Sequence, residues 1–357
     1  MIRLSWRQFR MQAAVALGVL VAIAVVFAAT RPHYAHLYSL YAKAQAACLT
    51  GGDCRTVSLN LGTLDQLLEL VATALVAVPA LTGAFWGAPL IAREFESGTH
   101  RLAWTQSVTR TRWLAAKLVV VGLGSVAVSG ILSLLVTWWS APRDSVKTNR
   151  FGAGTFGERN ITPLAYAAFG FALGVVAGLL IRRTLPAMAT AMATFLGVRI
   201  VFTLWVRPHL IAPLHKASAI DPNNVGFGST NGGPPTLMPN PPDIPNAWIY
   251  STRFVDNAGH GLTPHFVTTT CPTVGTSFGA PPTVASGGGA IRIEAPAGAK
   301  SALHDCVAKL GATYHQVVTY QPASRYWMFQ WYETAIFFAF ALALAGFSFW
   351  WIRRRAR

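Results

Sequence analysis

Residues able to do chemistry are few in this chain, and their spacing fits no catalytic or metal centre. His33, His36, His209, His215, His260 and His265 are scattered through polar connections, where solvated imidazoles are the simplest reading. No His-Glu-x-x-His, Gly-x-Ser-x-Gly or paired Cys-x-x-Cys pattern occurs. The glycines of GAGTFGER (Gly152–Arg159) lack the Lys-Ser/Thr ending of a phosphate-binding loop. The sequence therefore predicts no metal, no cofactor and no nucleotide pocket in this chain, and no catalytic residue. Two ionisable residues, Glu69 and Arg199, lie inside apolar stretches, where a charge costs about 2.5–3.5 kcal/mol on insertion scales. One reading pairs them across the structure. The other has Glu69 reaching water while Arg199 snorkels to the interface.

The densest polar chemistry is the run REFESGTHRLAWTQSVTRTRWLAAK, Arg93–Lys117. Arg93 to Glu96 can extend a helix past the end of an apolar span, and Ser97, Gly98 and Thr99 supply a turn. Leu102, Trp104 and Val108 can form the apolar face of a short following helix, and Arg110 and Arg112 then anchor the next span. Such a helix, tethered between two spans, is a mechanical element, because displacing it tilts both. The plainer reading is a solvated hairpin.

These residues must be positioned by membrane helices. The chain has 357 residues, only 12% of them charged, and a mean hydropathy of +0.41. Apolar stretches of the ~20 residues needed to cross a bilayer fall near Met11–Thr30, Leu67–Ala92, Trp113–Ser140, Ile161–Ile181, Leu185–Val206 and Thr334–Ile352. Six spans place both termini on one side. With that side cytoplasmic, fourteen Lys and Arg residues fall in short inner segments opposed only by Glu94 and Glu96, as the positive-inside rule requires. The net charge of +16 then reports topology, and nucleic acid need not be invoked. The first span, preceded by Arg3, Arg7 and Arg10, exceeds a signal-peptide core and reads as an uncleaved anchor. Residues 1–11 read either as a short amphipathic helix on the inner leaflet or as a charged flank.

Within the spans, Pro79, Gly83, Gly87 and Pro89 predict a kink or break in the second. Gly170, Gly174 and Gly178 form a small-xxx-small ridge in the fourth, packing either inside the chain or against another subunit. Near-absence of charge in the spans argues against a dedicated ion path. Residues 207–333 differ in kind, holding 15 of the 21 prolines. The part through about Pro264 reads as an extended, turn-rich loop. Beyond it, Ala290–Ala295 and Tyr314–Tyr320 read as strands and Ser301–Gly311 as a helix. Cys48, Cys54, Cys271 and Cys306 all fall on the side assigned as outer, which favours two disulfides. Of the three connectivities, Cys48–Cys54 and Cys271–Cys306 close local loops; free thiols are the alternative.

The motif E-F-E-S-G-T at Glu94–Thr99, followed by T-R-T-R-W-x-x-x-K at Thr109–Lys117, resembles the type-2 ABC export permeases. So do six spans with both termini inside and the YQPASRYWMFQWYE lead-in (Tyr320–Glu333) to the last span. Actinobacterial members with a large outer loop are the most similar in appearance. The resemblance implies that Glu94, Glu96, Gly98, Thr99, Arg110 and Arg112 form a coupling element docking on a separate cytoplasmic ABC ATPase. That partner would bind ATP and Mg. It also implies a second permease copy, identical or a close paralogue, in the lipid of the cell membrane. The long outer loop departs from the family's short re-entrant hairpin.

The expected architecture is an all-α membrane protein of six transmembrane helices, N-in and C-in, with a small α+β extracytoplasmic domain between helices 5 and 6. Residues 1–206 carry helices 1–5 with a cytoplasmic coupling loop at 93–112; 207–333 form the outer domain; 334–357 form helix 6 and a basic tail. The expected function is the permease subunit of an exporter for a hydrophobic or amphipathic substrate. A membrane-anchored sensor or scaffold with an outer ligand-binding domain is the alternative. A secondary carrier would need an inverted repeat, and none is visible; an intramembrane enzyme has no catalytic pair.

Overall fold

The computed structural model describes residues 2–48, 66, 77–98, 109–144, 150–221, 225–228, 236–242, 244, 246–263, 269–270 and 299–354. The chain divides into two compact units, Met1–Ile211 with Ser324–Arg357, and Ala212–Ala323.

The first unit is helical. Its elements are α1 (Ile2–Cys48), α2 (Val78–Glu96), α3 (Arg110–Asp144), the short α4 (Ala153–Phe156), α5 (Thr162–Ile181), α6 (Thr184–His209) and α8 (Tyr326–Arg354). Five helices among the described residues are long and apolar enough to cross a membrane: α1, α3, α5, α6 and α8. The remaining expected span, Leu67–Ala92, is described without a gap only from Ala77, mainly as α2. Residues 2–11 do not form a separate helix on a leaflet; they are the first turns of an uninterrupted α1. The last helix also starts eight residues earlier than its apolar stretch, at Tyr326, because Tyr326, Phe329 and Gln330 bury one face against the bundle.

Two helices contain a π turn, Gly83–Gly87 in α2 and Phe202–Val206 in α6. Each ends two residues before a proline, Pro89 and Pro208 respectively. Proline lacks an N–H and its ring crowds the carbonyl one turn back. Widening that turn relieves the crowding, and the N–H groups of Ala88 and Arg207 bond instead to the carbonyls of Gly83 and Phe202, five residues back. The expected disruption of the second span thus takes the form of a wide turn, with helix continuing on both sides.

Helix α5 is the axis of the unit: 72% of its apolar window is buried, against 11% for α1. Its glycines meet those of α2 so closely that a Cβ on Gly174 would lie 2.1 Å from the Gly83 carbonyl oxygen, and one on Gly170 2.5 Å from that of Pro79. On other faces Phe171 packs on Gly122 of α3, Phe169 on Phe195 of α6, and Tyr166 on Phe337 of α8. Helix α1 is held mainly by α3, with Trp139 stacked between Phe27 and Tyr34 at 4.5 and 5.1 Å. Its valines 15, 19, 21, 25 and 26 are exposed, as suits contact with lipid tails or another apolar surface.

The second unit is α+β. Strands β1 (Leu214–Ser218), β5 (Tyr314–Gln321) and β4 (Trp248–Asp256) form an antiparallel sheet in the order β1-β5-β4, and β2 (Val225–Gly228) pairs with β3 (Thr236–Pro239). Helix α7 (Ala299–Gly311) sets Cys306, Val307 and Leu310 into a core with Ile220, Leu237, Phe254 and Tyr314. The helix and β5 stand where the sequence predicts them. The segment read as a turn-rich loop instead supplies β1, β2, β3 and β4, a correction explained by pairing: β4 is ordered by the distant β5, and the one proline within these strands, Pro239, is the last residue of β3. The expected strand Ala290–Ala295 lies outside the described residues.

Candidate functional site

Buried ionisable side chains are more numerous in the helical unit than the near-absence expected from the sequence. Among the described residues Lys117, Glu158, Arg159, Arg199, Arg207 and Glu333 are all buried, and they gather at opposite ends of the bundle.

At one end, α2 and α3 meet around Glu94. Its carboxylate accepts a hydrogen bond and ion pair from Lys117 Nζ, which also donates to the Leu90 carbonyl at 3.2 Å and lies 4.6 Å from the Trp113 ring centre. Lys117 is 3% exposed, so the pair is fixed by packing as well as charge. Two residues on, the Glu96 carboxylate accepts from Thr184 Oγ1 at 2.6 Å and Thr184 N at 3.2 Å, capping the start of α6. Helix α2 ends at Ser97, whose N–H reaches the Arg93 carbonyl at 2.9 Å, and Gly98 follows at φ +71°, the left-handed residue of a helix C-terminus. Arg110 and Arg112 open α3 behind Thr109, whose hydroxyl accepts from Arg112 N at 3.4 Å. Thr99 and the expected short helix, with Leu102, Trp104 and Val108, lie outside the described residues. Of the six residues assigned to the coupling element, the structure thus places Glu94 and Glu96 against their own chain.

The Glu96 contact has a pH signature. The two donors from Thr184 hold its carboxyl below the usual carboxylate range. A depressed folded value means that the contact favours folding above the unfolded carboxylate value, and that this contribution is lost as pH falls through the folded one. Thr184→Val removes the hydroxyl donor, so isotope-edited infrared titration should find the Glu96 transition moved up towards about 4.3. An unmoved transition would contradict this assignment.

At the other end, Glu333 of α8 is fully buried and is the hub of a network. It accepts from Arg199 Nη1 at 2.9 Å, from Arg207 Nε and Nη2 at 2.8 and 2.9 Å, and from the Tyr166 hydroxyl. Arg199 lies 3.8 Å from the Tyr166 ring centre and Arg207 4.3 Å from that of Phe156. The connection 150–161 is drawn in beside it: Gln330 Nε2 donates to the Phe156 carbonyl at 3.1 Å, Asn160 Nδ2 to the Tyr326 hydroxyl at 2.8 Å, and Arg159 Nη1 to Asp144 Oδ1 at 2.8 Å. Gly157 leaves room for the guanidinium, since a Cβ there would lie 2.7 Å from Arg199 Nη2 and displace it.

The sequence singles out Arg199 and offers either a pairing with Glu69, which lies outside the described residues, or a snorkelling side chain; the observed carboxylate partner is Glu333. Helical spacing held the signal. Tyr326, Phe329, Gln330, Glu333 and Phe337 repeat every three or four residues, which puts a carboxylate on an apolar face. Arg207 was harder to place, because eight residues of ideal α-helix would turn it roughly 80° away from Arg199. The π turn between them takes up most of the extra residue.

Gly170, Gly174 and Gly178 of α5 face Pro79, Gly83 and Ala88 of α2 inside this chain. Between α1, α2, α3 and α6 opens a cleft of about 700 Å³ lined by Val15, Leu81, Phe85, Leu185 and Met188, among others, with Arg93 its one charged lining residue among the described residues. Cys306 is buried in the second unit, while Cys54, Cys271 and the Cys48 side chain lie outside the described residues. No group of three potential metal ligands occurs among the described residues.

The family model described as ABC-2 membrane transporter related matches residues 17–207, more than half of the chain. The chain belongs to this family. An ABC-2 membership makes it a membrane protein and a transmembrane subunit of an ABC transporter, a kind of subunit that is generally not itself catalytic and that works with an ABC ATPase. No curated protein and no solved structure matches it. The ABC-2 match runs from α1 through α6 and takes in Lys117, Arg199 and Arg207. Glu333, which joins the two arginines, comes from outside the matched segment.

Proposed function

We propose that this chain is the permease subunit of an ATP-driven exporter in the cell membrane, crossing six times with both termini in the cytoplasm. A separate ATPase subunit binds ATP and Mg and drives the loop between α2 and α3, with Gly98, Thr99, Arg110 and Arg112 on its docking side. A second permease, identical or a close paralogue, completes the complex. The family match over α1–α6 carries this reading, and the clustering of basic residues in the short connections supports the orientation. The apolar cleft beside α1, α2 and α6 suits a hydrophobic or amphipathic substrate moving along the permease. Residues 212–323 then lie outside the cell, where disulfides Cys48–Cys54 and Cys271–Cys306 would close locally.

The decisive experiment is affinity purification of the tagged chain from its native membrane in mild detergent. An ABC ATPase is expected in near-stoichiometric amount. Recovery of the chain alone, or with a histidine kinase in place of an ATPase, would overturn the proposal.

A further inference from the structure

The position of Glu94 and Glu96, two residues apart at the end of α2, has a consequence for how force passes through the protein. Glu94 bonds to Lys117 of α3, one and a half to two turns into that helix from Arg110. Glu96 bonds to both donors of Thr184, the first residue of α6. Phe95 between them lies 5.4 Å from the Arg182 guanidinium, in the connection from α5 to α6. One turn of α2 therefore touches α3, α6 and the α5–α6 connection. We propose that Glu94 and Glu96 are positioning residues that bolt the end of α2 to α3 and α6, so that a push on the adjoining loop moves three helices together, and that neither is itself an ATPase contact.

The chemistry favours bolts over docking. A buried lysine paired with a carboxylate is costly to part, and a carboxylate capping a helix start is already held by charge and by two donors. A carboxylate committed in this way has less to offer a partner surface than the arginines at the start of α3. The inference rests on the ABC-permease reading for the source of the push, and the bolts themselves can be tested without it.

The test uses the full chain with the ATPase that co-purifies with it. Spin labels at the exposed positions Leu342 of α8, a helix the bolts do not touch, and Leu196 of α6 report their separation before and after ATP. In the double variant Glu94→Gln, Glu96→Gln the ATPase should co-purify at the unaltered ratio and hydrolyse ATP, while the ATP-driven change in separation falls at least fivefold. Loss of the ATPase from the purified complex would overturn the inference, since it would make these carboxylates docking contacts. A separation change as large as in the unaltered protein would overturn it as well. If the unaltered chain brings no ATPase, the ABC reading fails, and the bolt is judged by charge exchange: Glu94→Lys should lower the melting temperature and Glu94→Lys with Lys117→Glu should restore most of it. No restoration would overturn the bolt on its own terms.

Discussion

Replacing Glu333 with Ala is expected to destabilise the protein by about 3–5 kcal/mol, the range for removing one partner of a buried ion pair, and to do so more than any other single charge change. Arg199 and Arg207 would remain buried with no carboxylate between them, and the Tyr166 hydroxyl would lose its acceptor. Thermal unfolding in detergent, followed by intrinsic tryptophan fluorescence, measures the loss. The sign of a second variant separates charge from packing. With Glu333→Leu, Arg199→Met and Arg207→Met together, the unpaired charge disappears and the apolar volume is kept, so most of the stability should return, as replacement of whole buried ion clusters is often neutral or stabilising. If the triple variant is no more stable than Glu333→Ala, the loss does not come from unpaired buried charge, and the specific hydrogen bonds of the hub are what hold α5, α6 and α8.

The hub also marks where sequence reading reached its limit. Apolar runs of about twenty residues locate α1, α3, α5, α6 and α8 well, because a bilayer-length stretch is a local signal. The glycines of α5 and the prolines of α2 were equally legible, since each removes or supplies a specific group. The pairing of charges was not, because it depends on which helices are neighbours. Glu333 was counted with the outer connection on hydropathy, whereas its helix begins seven residues before it, at Tyr326. A π turn adds a second difficulty: it shifts the face of every residue beyond it, so Arg207 joins Arg199 only once the turn at Phe202–Val206 is known. In the second unit, β4 was obscured by its proline-rich surroundings and by depending on a partner strand some sixty residues away. Glu94 and Glu96 stand out in the sequence as acidic residues at the end of the second span, but their partners, Lys117 and Thr184, lie on other helices and carry no local mark.

Gly174→Ala is expected to cost about 1–3 kcal/mol or more, the range for overpacking, although Ala is the better helix former by up to about 1 kcal/mol. The added carbon would lie 2.1 Å from the Gly83 carbonyl oxygen and 2.9 Å from the Ala88 nitrogen. Both are backbone atoms, so no rotamer change relieves the clash, and α2 must part from α5. The positions are also mechanically connected, because Gly83 and Ala88 flank the π turn that carries α2 past Pro89 to Glu94. Separating the helices there should loosen the Glu94–Lys117 contact as well, which would show as faster labelling of a cysteine placed at the buried Leu114 of α3, beside that contact. Gly197→Ala is the control: nothing lies within 4 Å of its Cβ position, so helix propensity alone acts and stability should hold or rise. A Gly174→Ala protein as stable as Gly197→Ala would mean that α2 and α5 are not in contact along this seam, and that force applied at the end of α2 reaches the centre of the bundle by another route.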